Sequence, residues 1–121
     1  MKKKVLIVDD KPTIAKVIQV YIAEIFDCIY FEDPFKAIAW LQEGNMPDLI
    51  ISDINMPNMN GVDFLDYVKK NDLFKYIPFV ILSSEDSTSQ KIALLERGAD
   101  DYISKPFNPM ELKVRLKKIV S

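Results

Sequence analysis

The chain has 121 residues, 49% of them hydrophobic and 28% charged, with a formal net charge of −2. That length suits one domain, residues 1–121, with a single substantial core, and the balance is globular rather than disordered. The charge argues against direct nucleic-acid binding, the lack of histidine excludes Ser-His-Asp and Cys-His catalysis and disfavours zinc, and a lone cysteine excludes an internal disulfide. No apolar run has the length of a membrane span, and Met1 to Lys4 leads into a strand-like segment rather than a signal peptide. A cytoplasmic protein without membrane insertion is expected. Any chemistry must come from carboxylates, hydroxyls and lysines, with Cys28 read as a buried small hydrophobe.

In chain order, Val5-Leu6-Ile7-Val8 is a β-branched run that stops at Asp9-Asp10. Lys11-Pro12 opens a helix predicted to reach about Phe26, with Ile14, Val17, Ile18, Tyr21, Ile22 and Ile25 recurring at helical steps. Cys28 to Phe31 is a second strand. Asp33-Pro34 supplies an N-cap and a first-turn proline for a helix that faces Ile38 and Leu41 to the core and ends at Gly44. Leu49-Ile50-Ile51 reads as a strand buried on both faces, and it stops at Asp53 before a turn rich in Pro and Asn that closes at Gly61.

A third helix follows from Val62 to Lys70, with Phe64, Leu65 and Val68 for packing. Phe79-Val80-Ile81-Leu82 is a fourth strand ending at Ser83-Ser84-Glu85. Ser87 caps a fourth helix predicted to turn Ile92 and Leu95 to the sheet before Gly98 ends it. Asp101 to Ser104 is a short fifth strand running into Lys105-Pro106. Asn108-Pro109-Met110-Glu111 resembles a capping box and opens a last helix through Val120.

Five strands alternating with five helices predict an α/β fold of three layers, a doubly wound parallel sheet covered on both faces. The flavodoxin-like order 2-1-3-4-5 places the ends of strands one and three side by side at a switch point. Asp9, Asp10, Asp53, Ser83 and Lys105 then meet at the carboxyl ends of the strands. Three close carboxylates repel unless a cation offsets them, and all-oxygen ligands select a hard ion, Mg²⁺ with Mn²⁺ as substitute. A divalent ion beside a lysine and a carboxylate is the equipment of phosphoryl transfer, with the carboxylate as nucleophile. Taken singly, Asp9 and Asp10 also read as helix caps, Ser83 as a turn residue and Lys105 as a surface charge.

Over essentially its whole length the chain resembles the receiver domains of bacterial two-component response regulators, those of the single-domain chemotaxis type included. The residues that carry the resemblance are Val8-Asp9-Asp10, Ser52-Asp53-Ile54-Asn55-Met56-Pro57 with Gly61, Leu82-Ser83, Gly98-Ala99-Asp100-Asp101-Tyr102 and Lys105-Pro106-Phe107. The resemblance implies a signalling domain, an enzyme only toward its own phosphorylation and dephosphorylation. Asp53 would accept phosphate from a phosphohistidine on a sensor histidine kinase or histidine phosphotransfer protein. Asp10, Asp53 and the backbone carbonyl of Asn55 would bind Mg²⁺, Asp9 would act through a metal-bound water, and Lys105 would pair with the phosphoryl group across a cis Lys105-Pro106 bond.

By the same resemblance Ser83 and Tyr102 form a switch, the hydroxyl moving to the phosphate and the ring rotating inward. Tyr102 also reads as an ordinary edge-strand aromatic. Asn55 and Glu85 would orient the water for dephosphorylation. Ser83 stands where threonine is commonest, and Ser84 where alanine or glycine is frequent, its bulk expected to slow phosphotransfer or water access. Hydrolysis is nonetheless expected not to be unusually slow. The output face would be helix four, strand five and helix five, serving a downstream protein from a monomer or a phosphorylation-dependent dimer. Lys113, Arg115, Lys117 and Lys118 on helix five suit an acidic partner, or form only a solvated face.

A metal-dependent phosphatase of the haloacid dehalogenase type needs a second acid two residues beyond its nucleophile, where this chain has Asn55 after Asp53, and Lys11 and Pro12 after Asp9 and Asp10. A flavodoxin-like electron carrier would meet Asp9-Asp10 where its cofactor phosphate should sit. With Met1 at its start and no output domain after Ser121, a free-standing signalling shuttle is expected. A receiver fragment of a hybrid kinase or longer regulator is the alternative.

Overall fold

A computed structural model, which describes residues 2–85 and 87–121, pairs the five apolar runs as one parallel sheet. The elements are β1 (Lys3–Val8), α1 (Pro12–Ile22), β2 (Phe26–Phe31), α2 (Pro34–Gln42), β3 (Leu49–Asp53), α3 (Gly61–Lys70), β4 (Phe79–Ser83), α4 (Thr88–Glu96), β5 (Asp101–Ser104) and α5 (Pro109–Val120). The strand order is β2-β1-β3-β4-β5, as the doubly wound reading requires. Pairing of Val8 with Ser52, Asp53 with Leu82, and Ser83 with Ser104 brings the carboxyl ends level.

The strands read as continuous apolar runs because both faces are covered. Leu6, Val8, Ile50 and Ile81 point to a core with Ala37, Leu41, Phe64, Leu65, Val68 and Leu94 of α2, α3 and α4. Val5, Ile7, Leu49, Ile51, Val80 and Leu82 point the other way, to Ala15, Ile18, Ile22, Leu112 and Leu116 of α1 and α5. Four helices take side-chain caps from Asp33, Asn60, Ser87 and Asn108. Among the described residues, no helix is long and apolar enough to cross a membrane.

Several expectations are corrected. Helix one ends at Ile22 rather than near Phe26, and strand two begins at Phe26 rather than Cys28, because Phe26 pairs with Lys3 of β1. An Ile-Phe pair satisfies either period, and the β-ladder claims Phe26. Val17 and Tyr21 turn away from the core, at 41% and 40% exposure. On α4 the inward residue is Leu94, while Ile92 is 51% exposed and Leu95 is 39% exposed. The contiguous run Ile92-Ala93-Leu94-Leu95 carries no helical phase of its own, and the packing of Leu94 against the sheet sets it. Cys28 is half-buried, and burial is the main cause that pushes its thiol upward.

Candidate functional site

Three strand ends deliver charged groups to one crevice. Asp9 follows β1 and is buried; its Oδ1 accepts from the Lys11 N–H at 2.8 Å and its Oδ2 faces Lys105 Nζ at 3.3 Å. Asp53 closes β3, also buried; its Oδ1 accepts from the Ile54 N–H at 2.8 Å and its Oδ2 lies 3.4 Å from the same ammonium. Lys105 leaves β5 through a cis Lys105–Pro106 bond, and its N–H donates to Ser83 O at 2.7 Å. Carboxylate oxygens of Asp9, Asp10 and Asp53 lie within 4.8 Å of one another. Burial, above all, raises the Asp9 carboxyl above the usual carboxylate range; the Lys11 N–H and Lys105 pull it down and the Asp53 charge adds to the rise.

These donors fit a hard divalent cation. All are oxygens, three carboxylates face one ammonium, and among the described residues Asp10 Oδ1 is the only buried side-chain oxygen or nitrogen without a hydrogen-bond partner. A buried carboxylate oxygen without a partner is costly, and a cation of the Mg²⁺ type would satisfy it.

The connection from β3 to α3 is held close over Asp53. The Gly61 N–H donates to Ile54 O at 2.7 Å, and a Cβ at Gly61 would lie 2.3 Å from Asp53 O and 2.8 Å from the Ile54 Cα. Only glycine allows that approach. Asn58 Nδ2 donates to Asp33 Oδ2 at 2.7 Å, tying the same loop to the N-cap of α2. Asn55 sits exposed on this loop, two residues beyond Asp53.

Around β4, Ser83 is fully buried and its Oγ accepts from the Glu85 N–H at 3.1 Å, while the side chains of Ser84 and Glu85 are exposed. Tyr102 is buried rather than splayed at the sheet edge, with its Oη 2.9 Å from Glu85 O and 2.9 Å from Gln90 Oε1. A phenol has one proton, so both contacts become hydrogen bonds only with the Gln90 amide reversed to present its N–H. Glu85 thus joins the two residues through its main chain, N–H to Ser83 and C=O to Tyr102. On α5, Lys113 pairs with Glu24 and Arg115 with Asp101 and Glu111, so half of the basic stripe is engaged within the chain.

Sequence reasoning missed Tyr30, Asn58 and Gln90. Tyr30 donates from Oη to the main-chain oxygen of Asp9 at 2.7 Å; burial first, then the carboxylates of Asp9, Glu32 and Asp10, raise its phenol and keep it a donor. Each of these three contacts joins separate elements, so no spacing along the chain announces it.

The family model for the response regulator receiver domain matches residues 5–117. The phosphate regulon transcriptional regulatory protein PhoB of Pseudomonas aeruginosa is 37% identical over 119 residues, 98% of this chain and 52% of that protein. A histidine kinase of Formosa agariphila is also 37% identical over 119 residues, which make up 9% of its length. Among solved structures, the chemotaxis response regulator CheY4 of Vibrio cholerae superposes with a TM-score of 0.90 at 32% identity, covering 98% of this chain and 99% of that one. The chain spans about half the length of the curated regulators it matches.

Proposed function

This chain belongs to the response regulator receiver domain family, and we propose that it works as a phosphorylatable switch with Asp53 as the phosphoryl acceptor. The observation that carries the reading is the convergence of three carboxylates within 4.8 Å, with Lys105 Nζ bridging two of them and Asp10 Oδ1 left without a partner. Asp53 Oδ attacks the phosphorus of a phosphohistidine; the new O–P bond forms as the N–P bond breaks, and the imidazole keeps that electron pair. Asp10, Asp53 and the Asn55 carbonyl would hold Mg²⁺, or Mn²⁺ in its place, with Asp9 acting less directly, through water. When bound, the ion supplies positive charge against the phosphoryl oxygens. Lys105 exchanges its contacts with Asp9 and Asp53 for a phosphoryl oxygen.

Ser83 donates its hydroxyl proton to another phosphoryl oxygen while its lone pair keeps the Glu85 N–H. Through Glu85 the change reaches Tyr102, and from there the face of α4, β5 and α5, which a downstream protein reads in the cytoplasm. Asn55 and Glu85 orient the water that hydrolyses the aspartyl phosphate. The donor is a sensor histidine kinase or a histidine phosphotransfer protein, and the receiver acts as a monomer or a phosphorylation-dependent dimer. A second reading, the same switch within a longer regulator or hybrid kinase, is favoured by the partial coverage of PhoB and of the kinase.

Acetyl phosphate with Mg²⁺ tests the acceptor by intact-protein mass. The wild type should gain one phosphoryl group, and Asp53→Asn or chelation should abolish the gain. An unmodified wild type, or equal modification of Asp53→Asn, would overturn the assignment. Steady turnover of p-nitrophenyl phosphate would instead revive the phosphatase.

A further inference from the structure

We infer that Tyr30 is a positioning residue for the cation site, fixing the peptide plane between Asp9 and Asp10; this rests on the reading of those acids given above. The β1–β2 ladder pairs Val8 with Phe31 as its last couple. Beyond that pair the main chain of Asp9 must find partners at the edge of the ladder. Its N–H takes a long bond to Phe31 O, 3.3 Å, and its C=O takes a short one from the Tyr30 phenol, 2.7 Å. Two consecutive residues of β2 therefore hold both polar groups of Asp9, one by its carbonyl and one by its side chain.

The Asp9 carbonyl and the Asp10 N–H share one rigid amide, so the phenol that fixes the carbonyl also sets where the Asp10 Cα and carboxylate lie. The Asp9 carboxylate has anchors of its own in the Lys11 N–H and Lys105. Asp10 Oδ1 has none, and its position depends on the main chain that carries it. Loss of the phenolic hydroxyl should therefore be felt at Asp10, the carboxylate most in need of the ion. The ring itself packs beside Cys28 against the α1 and α5 core, and phenylalanine would keep that packing. Partners that orient metal-binding groups typically govern about 10- to 100-fold in affinity.

Tyr30→Phe, titrated with MgCl₂ by calorimetry, is the test. The dissociation constant for Mg²⁺ should rise about tenfold, with the melting temperature of the metal-free protein close to that of the wild type. In acetyl phosphate reactions the half-saturating Mg²⁺ concentration should rise while the rate at saturating Mg²⁺ returns to the wild-type value. An unchanged dissociation constant beside a wild type that binds would overturn the assignment of Tyr30 alone. So would a lowered melting temperature and a lowered saturating rate at unchanged affinity, the signature of a packing role. A wild type that takes up no Mg²⁺ would overturn the cation site itself and this inference with it.

Discussion

Helices α3 and α4 lie on the same side of the sheet, and each follows a strand that ends in a site residue, Asp53 before α3 and Ser83 before α4. They are held very differently. α3 buries Gly61, Phe64, Leu65 and Val68, and its first residue is pressed against the Asp53 carbonyl. Among the described residues α4 buries only Leu94, and the polar ties at its ends include the Ser87 cap, the contact between Gln90 and Tyr102, and, just beyond it, Arg97 to Asp66. Elements with few buried apolar groups move at low free-energy cost. Asp53 therefore sits in a fixed frame, and the neighbouring strand end leads into the helix least held by apolar burial.

The sharpest test of the fixed half is Phe64→Ala, which should cost about 3–5 kcal/mol in denaturant unfolding. A loss no larger than that of a surface change would break the contrast. Next in size is the ion. At a hundredfold excess over its dissociation constant, Mg²⁺ should stabilise the fold by about 2.7 kcal/mol, read as a rise in melting temperature that Asp10→Asn removes. Gly61→Ala should follow, since its Cβ meets backbone that cannot retreat; overpacking of this kind typically costs about 1–3 kcal/mol. Its phosphorylation by acetyl phosphate should fall in parallel, because the atom it strikes belongs to Asp53.

Smaller still is the pH response of the metal-free protein. Burial raises the Asp9 carboxyl above 3.8. Between the unfolded value and the raised folded one, the folded chain holds a proton that the unfolded chain has lost. Stability from this group is therefore fully present below about the usual carboxylate range and declines as pH rises through the raised value. Melting temperatures of Asp9→Asn without metal should lack that decline. The smallest effect belongs to α4: Ile92→Ala, on its outer side, should stay within about 0.5 kcal/mol of the wild type. A loss of core size there would restore the orientation that the apolar run first suggested.

Most of the site is legible because each of its groups terminates an apolar run, and a doubly wound sheet collects strand ends in one crevice. Asp9, Asp10, Asp53, Ser83 and Lys105 follow from that rule before any contact is known. Helix phase is less legible. Where apolar residues are adjacent, as from Ile92 to Leu95, the period is silent and tertiary packing chooses Leu94. Phe26 went to the ladder rather than the helix for a similar reason, its apolar neighbours fitting both. The hydroxyl of Tyr30 and the amides of Asn58 and Gln90 are invisible for a different cause: each bonds across elements far apart in the chain, and polar residues at such places carry no periodic signal. Gly61 stands between the two cases, conspicuous as a loop glycine, with its necessity apparent only in the approach to Asp53.

As a switch, the molecule would couple its acid pocket to α4. Hydrogen exchange of the wild type, with and without beryllofluoride and Mg²⁺, tests it most directly. Exchange in α4 should change on adding the phosphoryl mimic while α3 stays as it was, and Asp53→Ala should show no change in either helix. An α4 that exchanges identically in both states of the wild type, or an α3 that changes as much as α4, would contradict the account.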